Sequence, residues 1–186
     1  MGRLKQLLPL GDTTVIQFCL DTIITAETDD IVVVLAPGQK KLMDSISDYP
    51  VTIAVNEDVG SDMSESVKVG LAATDGRSSG VMVCLSDHPL VSPETVKLIA
   101  ATHRKEPHRI IIPVCKGKRG HPALFPKDVI HEIFTSANLR EIIRKDPGRV
   151  KLVEVRDEGV IMDMDTKEDY LAIIGKMGVV QDVEGP

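Results

Sequence analysis

Val81-Met-Val-Cys-Leu-Ser-Asp-His-Pro-Leu90 joins a run of apolar residues to a short polar turn. A helix start follows almost at once, because Ser92 suits the capping position, Pro93 the first helical position and Glu94 the positive end of the helix dipole. A buried strand that passes through a turn into a helix is the repeating unit of parallel sheets covered by helices.

The same alternation of apolar runs and amphipathic stretches extends in both directions from this segment. It predicts strands at 31–35, 51–55, 81–85, 109–114 and 150–155, the last followed by a short apolar segment at 160–162. It predicts helices at 13–27, 92–105, 127–134, 139–145 and 166–174, and one more that 61–66 leads into and that runs through Ala73. We therefore expect an α/β fold of the Rossmann-like three-layer α/β/α type, with a mostly parallel sheet. Ligands of such sheets bind beyond the carboxyl ends of the strands, so residues just after each strand are candidate site residues.

Composition narrows the class of protein. With 186 residues, 42% of them hydrophobic, and no linker or repeat, the chain is expected to form a single domain over 1–186. A net charge of −6 and only 3% aromatic residues argue against a nucleic-acid partner. The cysteines occur singly, no signal-peptide pattern is present, and the apolar runs are shorter than the roughly 18 residues of a membrane helix. These features predict a cytoplasmic protein with no membrane partner, and they leave a homo-oligomer open.

Two acidic segments are candidate metal ligands. Asp87 follows the strand at 81–85 in a turn stiffened by proline, and Mg²⁺ commonly takes one or two protein carboxylates together with phosphate oxygens and water. Asp163 and Asp165 precede the last helix, and alternation along an extended segment points both to the same side. The alternatives are that Asp87 only turns the chain and that the later acids only favour the helix dipole.

Cationic and polar segments are candidates for binding anions. Arg3 and Lys5 lie at the start of the chain, and 116–122 combines cations with glycines that allow close backbone approach. Asn56 follows the second predicted strand, and 61–66 leads into a helix whose free amides could hold an anion or read a base. A solvated loop and ordinary helix capping are the competing interpretations.

Four motifs in order resemble a known family. They are 1–10 (MGRLKQLLPL), 86–90 (SDHPL), 119–125 (RGHPALF) and 163–170 (DMDTKEDY). Together they resemble the MobA-like nucleotidyltransferases, and most closely the molybdenum cofactor cytidylyltransferases, over nearly the whole chain from Met1 to about Ile174.

The resemblance implies a fold of the nucleotide-diphospho-sugar transferase type and a role for each motif. Lys5 would contact the NTP phosphates beside Arg3. Asp87 would bind Mg²⁺, with Asp165 as the second acidic contact and Asp163 as a further candidate. Ser64 and Ser66 would lie in the segment on the base side of the nucleotide, to which the candidate Asn56 after the second predicted strand is added. On the acceptor side, the resemblance implies Arg119, Gly120 and His121.

The expected function is transfer from an NTP, CTP in the first place, to a phosphorylated acceptor of the molybdopterin type with release of pyrophosphate. One alternative is a degenerate nucleotide- or cofactor-binding module without catalysis. Another is a transferase of the same superfamily that acts on a sugar phosphate or an isoprenoid precursor. His88 replaces the glutamine that is usual in the Asp-x-Pro turn of the closest branch, which leaves the base preference open.

The sequence also departs from the family at its start. The family opens with a central strand and a loop of the form LAAGxSxRMG, whose amides cradle the triphosphate, and Met1 to Arg3 correspond only to the end of that loop. The first strand is thus missing from between the strands at 31–35 and 81–85. Because unpaired buried backbone is costly, we expect these two strands to pair directly, or another segment or chain to fill the slot.

Overall fold

The computed structural model describes residues 4–58, 60 and 62–178, so Arg3 lies outside the described residues. The strands are β1 Pro9–Leu10, β2 Thr13–Thr14, β3 Val32–Leu35, β4 Thr52–Val55, β5 Gly80–Val83, β6 Ile110–Cys115, β7 Lys118–Arg119, β8 Ala123–Pro126 and β9 Val150–Glu154. The α-helices are α1 Val15–Thr25, α2 Lys40–Ser45, α3 Met63–Ala73, α4 Pro93–Lys105, α5 Lys127–Ile130, α6 Leu139–Lys145 and α7 Lys167–Met177. Short 3₁₀ helices span Lys5–Leu7, His131–Phe134, Pro147–Arg149 and Glu158–Ile161.

The larger sheet has the strand order β5-β8-β6-β7, with β9 also paired to β6. The pairing of β6 with β9 is parallel, whereas β8 runs antiparallel to both β5 and β6. The α/β class is therefore confirmed, with a mixed central sheet. The strand β8 was missed by the sequence analysis, because a four-residue run bounded by prolines gives too little periodicity to identify a strand.

Side chains that alternate along β6 form two different cores. Ile110 and Ile112 pack with Phe125 and with apolar residues of α3, α5 and α6. Ile111 points to the opposite face and packs with Ile99 of α4. Helices thus cover both faces of this sheet, which confirms the three-layer arrangement.

The strands β3 and β4 form a separate parallel pair, in register from Val32 opposite Thr52 to Leu35 opposite Val55. Helix α1 covers one face of the pair, where Ile16 and Leu20 pack in one cluster with Leu35. Helix α3 contacts both β3 and β4 and also packs apolar side chains into the core of the larger sheet. The two sheets are therefore joined through helix packing.

The expectation that the strands at 31–35 and 81–85 pair directly is wrong. Among the residues that the structure describes, β3 pairs with β4 alone, β5 pairs with β8 alone, and no strand lies between them. The physical reason is partial exposure: every residue of β5 and the first three of β3 are only half-buried. Because these residues are not fully buried, the penalty for unpaired backbone groups is smaller at these edges and does not force the strands together.

The local signals for helix starts hold in the structure. The hydroxyl of Ser92 accepts a hydrogen bond from the Thr95 amide at 3.2 Å, as expected for the cap of α4. Thr166 and Asp169 form a capping box at the start of α7. Within the described ranges, no helix is long and apolar enough to cross a membrane.

Candidate active site

Lys5, Asp87 and Asp165 meet in three dimensions although they are far apart in sequence. The Lys5 ammonium nitrogen lies 3.0 Å from Asp87 Oδ2 and 2.9 Å from Asp165 Oδ1. One cationic group thus reaches a carboxylate oxygen from each of two separate segments.

Each of the three side chains belongs to a different kind of local structure. Lys5 begins a 3₁₀ helix, Asp87 lies in the turn beyond β5, and Asp165 precedes the cap of α7. The fully buried side chain of Met164 packs in a core cluster with Leu10, which fixes the segment that carries Asp165. Asp165 itself therefore projects outward, with 64% of its side chain exposed.

Charge pairing keeps the lysine protonated. Partial burial lowers the pKa of Lys5, but hydrogen bonds and charge interactions with Asp165 and Asp87 outweigh this effect, so its net pKa is raised. An ammonium group that stays charged throughout the physiological pH range is suited to binding phosphate oxygens.

The donor set also fits a divalent cation of the magnesium type. Asp87 and Asp165 each present an oxygen to one cationic nitrogen, and the second oxygen of Asp87 is buried without a hydrogen-bond partner in the described structure. Across the described ranges, no group of three or more His, Cys, Asp or Glu side chains is arranged to hold a metal. Two carboxylates match the way Mg²⁺ is held when substrate phosphates and water complete its coordination.

His121 lies beside the acidic turn. The ring centroids of His88 and His121 are 5.2 Å apart, and His88 Nε2 is 4.0 Å from Asp87 Oδ1. Burial, followed by the neighbouring His88, lowers the pKa of His121, with only a partial opposing effect from Asp87. His121 is therefore neutral at pH 7, and its buried Nδ1 has no hydrogen-bond partner in the described part of the chain.

Gly120 and Arg119, the other two residues predicted on the acceptor side, differ in burial. Gly120 is buried, and a Cβ at this position would overlap the Val160 carbonyl group, so the close backbone approach requires glycine here. Arg119 is exposed on β7, and its role toward an acceptor stays a prediction.

Of the three residues predicted on the nucleotide side, Asn56 and Ser66 form a hydrogen-bonded pair, whereas Ser64 makes a separate structural contact. Asn56 Nδ2 donates to Ser66 Oγ at 3.2 Å, and Asn56 Oδ1 accepts from the Asp58 amide at 3.1 Å. Ser64 is 3% exposed, and its hydroxyl donates to the Ala137 carbonyl at 3.0 Å. The geometry thus gives Ser64 a bond that ties α3 to the segment before α6, while its role toward a nucleotide stays a prediction.

Asp157 was missed by the sequence analysis. Its carboxylate accepts hydrogen bonds from Ser92, Thr95 and Gly159, and so connects the start of α4 to the segment that leads to Asp165. The available signal was the Asp-x-Gly turn at 157–159, which by itself indicates only a loop.

The fold and the site together define an α/β protein in which a lysine and two carboxylates from distant segments meet beside the turn after β5. The family described as the MobA-like NTP transferase domain matches residues 1–151. The chain belongs to this family and is a nucleotidyltransferase.

Individual proteins resemble it over most of their length. Nicotine blue oxidoreductase of Paenarthrobacter nicotinovorans is 27% identical over 181 residues, which cover 91% of this chain and 87% of that protein. The crystal structure of Rv0371c from Mycobacterium tuberculosis H37Rv has a TM-score of 0.82 at 26% identity and covers 94% of this chain and 90% of its own. A complex of Rv0371c with manganese has a TM-score of 0.78 at 26% identity, with 92% and 91% coverage.

Proposed function

We propose that this protein is a Mg²⁺-dependent nucleotidyltransferase that joins an NTP, CTP in the first place, to a phosphorylated acceptor of the molybdopterin type and releases pyrophosphate. The observation that carries the proposal is the contact of Lys5 with both Asp87 and Asp165 at 3.0 and 2.9 Å. Family membership and the manganese complex of Rv0371c support a divalent cation as the cofactor.

The reaction needs little acid–base chemistry from the protein. An oxygen of the acceptor phosphate bonds to the α-phosphorus of the NTP, and the bond from that phosphorus to the bridging oxygen of the β-phosphate breaks. Pyrophosphate leaves with the electron pair. The attacking oxygen is already anionic, so the task of the protein is to position the two reactants and offset negative charge.

The residues divide this task between them. Asp87 and Asp165 would hold the cation, whose chemistry is to stabilise charge on the phosphate oxygens. Lys5 would bind the triphosphate from the same side. Arg119 and the neutral His121 are the groups through which an acceptor phosphate would be held, next to the acidic turn.

The test is thermal unfolding of the protein with CTP, GTP or ATP, each with and without Mg²⁺. A ligand present at a hundred times its dissociation constant stabilises a protein by about 2.7 kcal/mol, which raises the melting temperature by several degrees. We expect a Mg²⁺-dependent rise with one nucleotide. The rise should be lost in Asp87→Asn and kept in Asp44→Asn, a matched change at an exposed position on α2.

Each outcome has a defined meaning when pyrophosphate release is measured alongside. A melting shift together with pyrophosphate release in the presence of a phosphorylated pterin supports the proposal and identifies the base. A shift without release indicates a binding module without catalysis. The absence of any shift overturns the assignment of an NTP site to these residues.

A second candidate activity, beside nucleotidyl transfer, is an oxidoreduction, because nicotine blue oxidoreductase is 27% identical and the match covers 91% of this chain. Burial raises the pKa of the Cys19 thiol to about 12, so this thiol is a poor redox group at neutral pH. A redox reaction of this chain would therefore not pass through the Cys19 thiol. Bleaching of nicotine blue by the protein with NADH or NADPH, at a rate unaffected by Asp87→Asn, would establish this second activity as independent of the proposed metal site.

A further inference from the structure

We propose that Asp157 is a positioning residue that holds the two carboxylates of the metal site at the correct separation. The inference rests on the proposed function, since it concerns how Asp87 and Asp165 are brought to one cation. Asp157 does not itself contact Lys5, Asp87 or Asp165, and its effect is transmitted through the two segments that it joins.

Four hydrogen bonds converge on the Asp157 carboxylate. Oδ2 accepts from the Ser92 amide at 2.8 Å, from the Ser92 hydroxyl at 2.9 Å and from the Thr95 hydroxyl at 2.7 Å. Oδ1 accepts from the Gly159 amide at 2.9 Å. One side chain thus ties the first turn of α4 to the 3₁₀ turn at Glu158–Ile161.

Both joined segments lead directly to a metal-site carboxylate. Ser92 follows Asp87 closely in the chain, and Gly159 precedes Asp165 closely. Because short segments allow little independent movement, fixing Ser92 against Gly159 restricts the distance between the two carboxylates.

The segment after Asp87 and the segment before Asp165 are also in contact at other residues. A Cβ at Gly159 would overlap the carbonyl group of Leu90, so the two backbones are in direct contact. His88 Nδ1 lies 3.4 Å from the Gly159 carbonyl oxygen. The adjacent Val160 carbonyl accepts the His121 amide at 2.8 Å, which links the turn to the predicted acceptor side as well.

A helix cap alone does not account for this arrangement. Ser92 already caps α4 by accepting from the Thr95 amide at 3.2 Å, so Asp157 adds bonds from a segment more than 60 residues away. Thr95 is 4% exposed, and its hydroxyl needs a buried partner. The carboxylate therefore acts as a clamp between two parts of the site.

The test measures Mn²⁺ binding to the full chain by the electron paramagnetic resonance signal of free Mn²⁺, without nucleotide or turnover. Asp157→Asn retains one oxygen for the Gly159 amide but replaces the other with a carboxamide NH₂ group, which donates hydrogen bonds and cannot accept them. We expect the dissociation constant for Mn²⁺ to rise about 10-fold, which is typical when groups that orient metal ligands are removed. Thr95→Val removes only the hydrogen bond from the Thr95 hydroxyl to Asp157, so it should raise the dissociation constant for Mn²⁺ by a smaller factor.

Asp146→Asn is the matched control. Asp146 Oδ1 accepts from the Gly148 amide at 2.8 Å at the start of another 3₁₀ helix, so the change alters the same kind of turn in a segment that carries no metal-site carboxylate. We expect its Mn²⁺ affinity to match that of the wild type, even where its melting temperature falls as far as that of Asp157→Asn.

If folded Asp157→Asn and Thr95→Val both bind Mn²⁺ with the affinity of the wild type, the proposed role of Asp157 is wrong. If Asp157→Asn does not fold, Thr95→Val decides by itself. Equal Mn²⁺ binding by the wild type and Asp87→Asn is a different result: it refutes the metal site of the proposed function, and the clamp falls with it.

Discussion

Two pairs of strands have similar side chains but different surroundings. The first pair is β6 and β8, and the second is β3 and β5. Every residue of β6 and β8 is buried, whereas every residue of β5 and the first three of β3 are half-buried. All four strands consist mainly of apolar residues. The difference shows that composition made these segments strands, while the neighbours on each side decided how deeply they lie.

The direction of the backbone hydrogen bonds shows which edge of β3 has no partner strand in the described structure. The carbonyl groups of Ile31 and Leu35 accept the amides of Thr52 and Asn56 at 2.8 Å. Backbone groups alternate in direction along a strand, so the amides of Val32 and Val34 point to the opposite edge. In the described structure no strand pairs with that edge.

The first prediction, with the largest expected difference, concerns amide hydrogen exchange. Amides in the middle of β6, such as that of Ile112, should exchange only through global unfolding, with an opening free energy of roughly 5–15 kcal/mol. Those of Val32 and Val34 should exchange with opening free energies near zero. Strong protection of Val32 and Val34 in the isolated protein would show that a further segment or a second chain covers this edge.

The second prediction compares truncations in the two regions. Phe125→Ala in β8 should lower the free energy of unfolding by about 3–5 kcal/mol, because the side chain is fully buried and leaves a cavity. Val33→Ala in half-buried β3 should cost about 1 kcal/mol, since less apolar surface returns to water. Urea unfolding measures both, and equal losses would contradict the difference in burial.

The third and smallest effect is a pH dependence at the start of β5. His103 of α4 is 4% exposed, and its Nε2 lies 3.2 Å from the Ser79 hydroxyl. Burial lowers the pKa of His103, with a partial opposing effect from Ser79. The unfolded chain therefore takes up a proton at this residue more readily than the folded chain.

Stability should consequently fall as the pH falls below about 6.5, the ordinary value for histidine. The decline should level off once the folded form also becomes protonated. Urea midpoints measured from pH 8 to pH 5 would show this slope, and His103→Gln should reduce it. An unchanged slope in that variant would assign the pH dependence to other groups.

Much of the fold could be read from local patterns. The helix starts at Ser92 and Thr166 follow from side chains that satisfy nearby amides, and the strand at 110–115 follows from a continuous apolar run. The antiparallel β8 and the separation of β3 from β5 could not be read in this way. Strand pairing depends on partners distant in sequence, and periodicity carries no information about them.

The candidate site shows the same division. Lys5, Asp87 and Asp165 were singled out from their places in the sequence and from the family resemblance, and the structure brings them into contact. Asp157 was missed because its importance lies in bonds to residues more than 60 positions away. A lone acid in an Asp-x-Gly turn carries no sign of such bonds.

The sequence by itself determined the α/β class, most helix boundaries and the acidic turn after β5, because these depend on neighbouring residues. The tertiary structure alone decided that Lys5 lies between two carboxylates, that Asp157 ties α4 to the 3₁₀ turn, and that the β3 edge faces no described strand. Each of these depends on how distant segments pack. That packing is set by the balance between burial and backbone satisfaction over the whole molecule.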